Sequence, residues 1–367
     1  METIEKLTTS ECIAAKEMWS EIFYEDSEKF TEYYFREKMP DNTGYGLKEE
    51  GRLRAMLFLT PYMARILSPD RQGNLFRDVP LCYIVGVGTK KEYRHRGYMD
   101  RLLRAALADL CEAEQPFTFL MPADPAIYTP YQFRYIYERP EFSVQKWGRV
   151  QTEPMPEGGE AVLAAFAERE LEGRYQLFLK RDPSYYKRQK KESLAQNGDI
   201  YLWQENGELA GFYLYAEENG KAEIQEALVA EHFAGKKALD ISDETKPVIM
   251  ARITNVSAML SLMRLAGQEK EETVSLILRV ADPLLPGNNG TFLWTVGKKE
   301  STIALLDEAD EVDACVGIEG LAQFLFGKKD ARDVMCGGRK GKPLEDAVSV
   351  KLSCIEPLSR VCINEIV

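Results

Sequence analysis

Histidine is nearly absent: the chain holds two in 367 residues, His95 and His232. One lies in a basic stretch and the other in a polar one, so a histidine-based triad or metal cluster has little to build on. The seven cysteines (Cys12, Cys82, Cys111, Cys315, Cys336, Cys354 and Cys362) are odd in number, scattered, and never spaced as CxxC. Neither a zinc site nor a disulfide framework is indicated, and reduced, buried thiols are the default expectation. No run reaches the roughly 18 apolar residues needed to span a bilayer. Met1-Glu2-Thr3-Ile4-Glu5-Lys6 lacks the basic start and apolar core of a signal peptide. A cytoplasmic location without a membrane partner is expected. Basic residues are in deficit, 47 Lys and Arg against 59 Asp and Glu, for a net charge of −12. That balance speaks against a general nucleic-acid binder and favours a cationic small molecule. At 45% hydrophobic and 29% charged, the composition is that of a soluble globular chain, and its length suits two or three domains.

What is present centres on Tyr83 to Leu107. The apolar, β-branched segment Tyr83-Ile84-Val85-Gly86-Val87-Gly88-Thr89 stops at a polar turn. Arg94-His95-Arg96-Gly97-Tyr98-Met99 follows and opens into a run whose apolar positions (Met99, Leu102, Leu103, Ala106, Leu107, Leu110) recur at helical spacing. This predicts strand, loop, helix. The free N–H groups and positive dipole end of the helix fall on the hexapeptide, which is an anion site in the making. Gly97 permits close backbone approach, and Arg94 and Arg96 add charge-assisted donors. An ordinary strand-to-helix turn with solvated arginines fits the same residues.

Upstream, residues 9–38 read as helical, with Ser10 as a cap and an acidic bend at Glu25-Asp26-Ser27-Glu28. A hairpin turning at Glu49-Glu50-Gly51 joins Tyr45–Lys48 to Leu53–Leu59. Downstream of the central stretch, Pro116–Met121 reads as a strand, and Phe142–Trp147 as the last strand of this unit. A loop-rich stretch from Thr152 to Gly159 precedes helices over Glu160–Leu171 and Tyr185–Leu194. Asp199–Tyr215 then repeats the earlier hairpin pattern, Gln-Glu-Asn-Gly-Glu-Leu against Lys-Glu-Glu-Gly-Arg-Leu. The echo points to a duplicated fold whose second copy has no glycine–arginine loop. From Pro247 a third unit carries a strand at Val248–Ile253, an amphipathic Ser257–Leu265, strands at Val274–Val280 and Gly290–Val296, and a helical Ile318–Phe326. The chain closes on the apolar run Pro357–Val367. Termini are normally polar and frayed, so this one is expected to be tied down.

The hexapeptide, with Val87 and Thr89 before it, resembles the pyrophosphate loop of the GNAT N-acetyltransferases; Met99 departs at the last small position. The resemblance implies acetyl transfer from a thioester to an amine, which must deprotonate the amine, stabilise the carbonyl oxygen and protonate the leaving thiolate. The strand Leu81–Thr89 has no carboxylate to act as base; Asp78 lies just before it. For the acid, Tyr128 stands in Ala126-Ile127-Tyr128-Thr129-Pro130-Tyr131-Gln132-Phe133, just past the strand that runs beside the central one. Its hydroxyl can protonate a thiolate, although spacing alone also fits a packed aromatic.

Arg-x-Arg-Gly followed by a large residue, Ala-Ile-Tyr-x-x-Tyr, Met250-Ala251-Arg252-Ile253 and the apolar end together resemble the enhanced-intracellular-survival (Eis) type of the GNAT superfamily. The resemblance spans essentially the whole chain and is faintest over 151–245. It implies an α+β, mixed α/β fold: an active GNAT domain (1–150), a second GNAT-like domain without cofactor (151–246), and a sterol-carrier-like domain (247–367) that delivers the C-terminus. It further implies acetyl-CoA as co-substrate, without a metal. Backbone at Val87 and Thr89 would pair with the pantetheine arm, and backbone at Arg94, His95, Arg96, Gly97 and Tyr98 would hold the pyrophosphate.

By the same resemblance Tyr128 is the general acid and the α-carboxylate of Val367 the base. Glu25, Asp26 and Glu365 would bind a cationic amine, aminoglycoside-like or polyamine-like, in a homo-oligomer that is hexameric in the family. The competing reading is a binding protein that holds an apolar ligand in the third domain, with a degenerate transferase site.

Overall fold

The computed structural model describes residues 2–68, 74–142, 151–218, 220–233, 241–267, 269–307, 311–338 and 342–365. The chain opens on a strand that its pattern does not announce, β1 (Glu2–Leu7), an edge strand in which only Leu7 is buried. Charged residues along an edge discourage pairing with other chains, and they also hide the alternation that would reveal the strand. The next helix, α1 (Thr9–Ala14), is capped by Thr8 rather than Ser10. The Thr8 hydroxyl accepts from the Glu11 N–H while the Glu11 carboxylate takes the Thr8 N–H at 2.8 Å, a capping box that Ser10 has no partner to form. Helices α2 (Lys16–Ile22) and α3 (Glu28–Glu37) follow, the second capped by Ser27.

Strands β2 (Thr43–Glu49) and β3 (Arg52–Leu67) form the expected hairpin. Glu50 and Gly51 both adopt left-handed φ, 52° and 74°, the conformation of a two-residue turn whose twist matches its strands. Strand β4 (Phe76–Thr89) lies antiparallel to β3, α4 (Tyr98–Glu112) follows, and β5 (Phe117–Leu120) returns parallel to β4. After α5 (Pro125–Tyr128) comes β6 (Arg134–Phe142). Of the strand expected at Phe142–Trp147 only Phe142 is described, as the last residue of β6; 143–150 lie outside the described residues. Glu138, Arg139, Pro140 and Glu141 disguise β6, and a sheet edge tolerates both the charges and the proline.

The middle unit holds β7 (Thr152–Pro154), the helix Glu160–Arg174, β8 (Leu177–Leu179), the helix Pro183–Ala195 capped by Asp182, and strands β9 (Asp199–Glu205), β10 (Glu208–Glu218) and β11 (Lys221–Val229). The echoed hairpin turns at Asn206 and Gly207 with φ of 53° and 80°, matching the first. Its sheet runs β11-β10-β9-β7, and β8 leaves it to pair with β3.

Strand β12 (Ile241–Ile253) then crosses back into the first sheet, between β5 and β6. Val248–Ile253, read as the start of the third unit, is thus shared, and position 247 falls inside this strand. The third unit builds its own five-stranded sheet, in the order Thr302–Leu306, Gly290–Gly297, Thr273–Ala281, Ala314–Gly317, Met335–Gly337. One apolar core runs through the first and third units, and a second, including Leu163, Phe166, Trp203 and Phe212, fills the middle one.

The apolar end is tied down. Val361–Cys362 pairs in parallel with β8, and Ile363 is fully buried. Ile366 and Val367 lie outside the described residues. All seven cysteines are free, but only Cys12 and Cys362 are buried; the other five are half-exposed. Among the described residues no helix is long and apolar enough to cross a membrane.

Candidate active site

The first sheet opens at its centre. Strands β4 and β5 make a single register pair, Tyr83 with Phe119, although β4 continues to Thr89. Beyond Tyr83 the β5-facing edge of β4 has no strand partner among the described residues, so its peptide groups line a fork between two parallel strands. The other edge stays paired with β3, interrupted by a bulge: Met56 opposes Gly88 while Phe58 opposes Val85. Gly86 takes φ of 60° inside that bulge, and a Cβ on it would stand 2.3 Å from the Trp19 ring. Glycine is required there for both reasons. Val87 and Thr89, half-buried, sit on the open part of the strand.

The loop that follows is basic and exposed. His95 and Gly97 adopt left-handed φ of 63° and 76°, and Gly97 is the N-cap of α4. Left-handed residues alternating with ordinary ones turn successive N–H groups toward one side, and the first turn of a 15-residue helix adds its unpaired N–H groups and positive dipole end. A Cβ on Gly97 would meet nothing within 4 Å, so the space above it is open. Tyr93 is held between two guanidinium groups, Arg54 at 4.4 Å and Arg96 at 4.9 Å from its ring centre. Arg94 donates to the Thr89 carbonyl at 3.3 Å, which closes the loop on the strand end. The Tyr98 side chain is buried, stacks with Tyr93 at 6.4 Å between ring centres and donates to Glu2 at 2.8 Å. What this loop presents is therefore backbone N–H at His95–Tyr98, and at Arg94 an N–H that also reaches the Lys91 carbonyl at 3.4 Å, with arginine charge around them, an arrangement that fits a diphosphate.

Tyr128 ends the four-residue α5, whose first turn Asp124 caps through the Ala126 N–H at 2.8 Å. It is 8% exposed and stands edge-on to Phe133, ring centres 6.0 Å apart. Burial alone pushes its hydroxyl up to about 12, so the group keeps its proton across the physiological range. Tyr83, on β4 at the fork, is buried and stands edge-on to Tyr62 of β3, ring centres 6.4 Å apart, and Tyr62 in turn reaches Glu365. The fork and the end of the chain thus meet through Tyr62.

Glu365 is 2% exposed and accepts from two tyrosine hydroxyls, Tyr62 of β3 at 2.7 Å and Tyr185 of the middle unit at 2.9 Å. Burial raises its pKa against the opposing pull of Lys38, Tyr62, Arg181 and Tyr185. Lys38 itself is buried in an ion pair with Glu192 at 2.7 Å, and the Tyr33 hydroxyl donates to the same carboxylate at 3.0 Å. All three units meet in this cluster. Of the other acidic candidates, Glu25 is exposed, and Asp26 is half-buried and accepts from the Trp19 indole at 2.8 Å. The three carboxylates thus occupy different settings. Val367 lies outside the described residues.

Tyr62, Tyr185, Lys38 and Glu192 carry no sequence signal. They come from separate strands and helices, and only their burial in three dimensions marks them.

Residues 3–136 match the family model described as an acetyltransferase (GNAT) domain, and residues 256–339 match that of a sterol carrier protein domain. No curated protein matches the chain. Among solved structures, the whole chain superposes on all of a conserved protein of unknown function from Enterococcus faecalis V583, named a probable N-acyltransferase, with a TM-score of 0.78 at 16% identity. It covers 98% of a GCN5-related N-acetyltransferase from Kribbella flavida, again over its own full length, with a TM-score of 0.75 at 17% identity. Eis1 from Mycobacterium abscessus aligns over the full length of both chains with a TM-score of 0.68 at 13% identity. At such identities the likeness is one of fold. It is the fold expected: mixed α/β, tandem GNAT-like sheets followed by a sterol-carrier-like domain.

Proposed function

We propose that this chain, which carries a GNAT acetyltransferase domain ahead of a sterol carrier protein domain, is an Eis-type N-acetyltransferase that moves an acetyl group from acetyl-CoA to a primary amine by direct attack. The observation that carries this reading is the pairing of the open β4/β5 fork with a left-handed, arginine-flanked loop at the start of α4. Peptide groups of Val87 and Thr89 bind the pantetheine arm, and N–H groups of Arg94, His95, Arg96, Gly97 and Tyr98 bind the pyrophosphate. Acetyl-CoA, once bound, supplies an activated acyl group on a leaving thiol.

Tyr128 donates its proton to the leaving sulfur, and its burial keeps that proton in place beforehand. The α-carboxylate of Val367 takes the proton of the amine, directly or through water. Its ordinary pKa near ~3.5 makes it a weak base, so partial burial or a relaying water has to assist. Asp26 and Glu25 attract the cationic substrate, aminoglycoside-like or polyamine-like, as the acidic surface does at longer range. Glu365 contributes from within, where its two tyrosine donors fix its position. The cytoplasm and a homo-oligomer, hexameric as in the Eis resemblance, complete the proposal.

Thermal unfolding with added acetyl-CoA tests it. A co-substrate at ~100 times its Kd should stabilise the fold by about 2.7 kcal/mol, seen as a raised Tm. An unchanged Tm at millimolar acetyl-CoA would leave the fork without its ligand and favour an apolar-ligand binding protein.

A further inference from the structure

The loop that bears Tyr128 is held by arginines whose counter-charges belong to the third unit. Arg252, on β12 and fully buried, donates from Nε to the Tyr131 carbonyl at 2.9 Å, from Nη1 to the Ile253 carbonyl at 2.6 Å, and from Nη2 to Asp282 at 2.7 Å. Asp282 is equally buried and is fixed in turn by the N–H groups of Leu284 and Leu285, at 2.9 and 3.2 Å, and by the Asn288 amide at 2.9 Å. A second arm starts at Arg134. Its Nη1 donates to the carbonyls of Thr129, at 3.1 Å, and Phe133, at 2.8 Å, while Nη2 pairs with Glu319 on the helix Ile318–Leu325. Burial, with the nearby Asp100 carboxylate in the first turn of α4, pushes the Tyr131 hydroxyl up to about 12. The carbonyls of Thr129, Tyr131 and Phe133 are thus gripped within five residues of Tyr128. The Tyr128 hydroxyl makes no hydrogen bond of its own among the described residues, so the fixed backbone and the Phe133 ring are what aim it.

We propose that Asp282 and Glu319 of the sterol-carrier-like unit, acting through Arg252 and Arg134, are positioning residues that hold Tyr128 over the fork. The third unit then tunes the chemical step without touching substrate. This rests on Tyr128 being the acid of the proposed transfer. A carbonyl held by a planar guanidinium fork depends on geometry that lysine does not reproduce, so charge alone should not restore function.

The test is a double-mutant cycle on kcat in the full-length chain, with Tyr128→Phe and Glu319→Gln singly and together. The Glu319 side chain is 46% exposed, so its variant should fold normally. The proposal expects Glu319→Gln to lower kcat at least five-fold, to keep the KM for acetyl-CoA within two-fold, and to cause no further loss once Tyr128 is Phe. Arg134→Lys should behave like Glu319→Gln, and Arg252→Lys, where it folds, should lower kcat further. If Tyr128→Phe lowers the rate but Glu319→Gln and Arg134→Lys leave kcat unchanged, or if the losses multiply in the double variant, positioning by the third unit is refuted while the acid role stands. A wild-type rate for Tyr128→Phe alone removes the acid role, and this proposal with it.

Discussion

At the scale of single residues the account turns on Tyr128. A hydroxyl near 12 faces a leaving thiol of ordinary pKa, ~8.5, so complete proton transfer runs uphill by about 5 kcal/mol. A kcat of ~10 per second already implies a barrier near 16 kcal/mol, so the mismatch is affordable and the tyrosine stays competent as an acid. Its proton is lost only as pH rises through about 12, well above the working range. The pH profile of kcat should therefore show no alkaline limb from Tyr128 up to pH ~10, while Tyr128→Phe lowers the rate without changing the profile's shape. Steady-state rates from pH 6 to 10 (an experimental range of about four units) decide this. An alkaline fall near pH ~8–9 that vanishes in Tyr128→Phe would show a far more acidic hydroxyl than the buried one described. The same scale explains Gly86 and Gly97, which hold conformations that other residues adopt only under strain.

At the scale of elements, the end of the chain behaves as a strand and an anchor rather than a tail. Val361–Cys362 pairs with β8, the Asn364 amide donates to the Gln225 carbonyl at 2.9 Å, and Glu365 is held by Tyr62 and Tyr185. Removing Ile366 and Val367 leaves all of these contacts in place. Such a chain should bind acetyl-CoA with a Kd within about two-fold of the intact one, yet lose at least ~100-fold in kcat, the scale of a general base. Calorimetric titration and turnover on the same sample read both, and wild-type turnover would dismiss the Val367 carboxylate as base.

Elements also mark what a sequence reader can see. The β4–loop–α4 corner was legible because apolar periodicity, Gly97 and the arginines lie in consecutive residues. The paired hairpins were legible because their turns demand left-handed residues at Glu50-Gly51 and Asn206-Gly207. Strand β1 was not, since an edge needs no apolar alternation. The placement of β12 inside the first sheet was not either, because an apolar run does not say which neighbours it joins. The Lys38–Glu192 and Tyr62–Glu365–Tyr185 contacts bring together residues up to 303 positions apart, and no local pattern encodes that.

At the scale of the whole molecule, the proposed transferase site draws on three units unequally. The first supplies the fork and the loop. The middle unit holds the terminal strand on β8 and gives Tyr185 and Glu192 to the buried cluster. The third lends β12 to the central sheet and grips the Tyr128 loop through Asp282 and Glu319. On the proposed positioning role, the sterol-carrier-like unit has a task that needs no lipid.

The claim common to all three scales is that the assembled chain acetylates amines. The most direct measurement is release of CoA thiol from acetyl-CoA against a panel of primary amines, with polyamines and aminoglycosides beside neutral and acidic amines. The account predicts amine-dependent release that favours multiply cationic substrates and weakens as salt screens the acidic surface. Release no faster than uncatalysed hydrolysis with every amine, from a chain that binds acetyl-CoA, would contradict it.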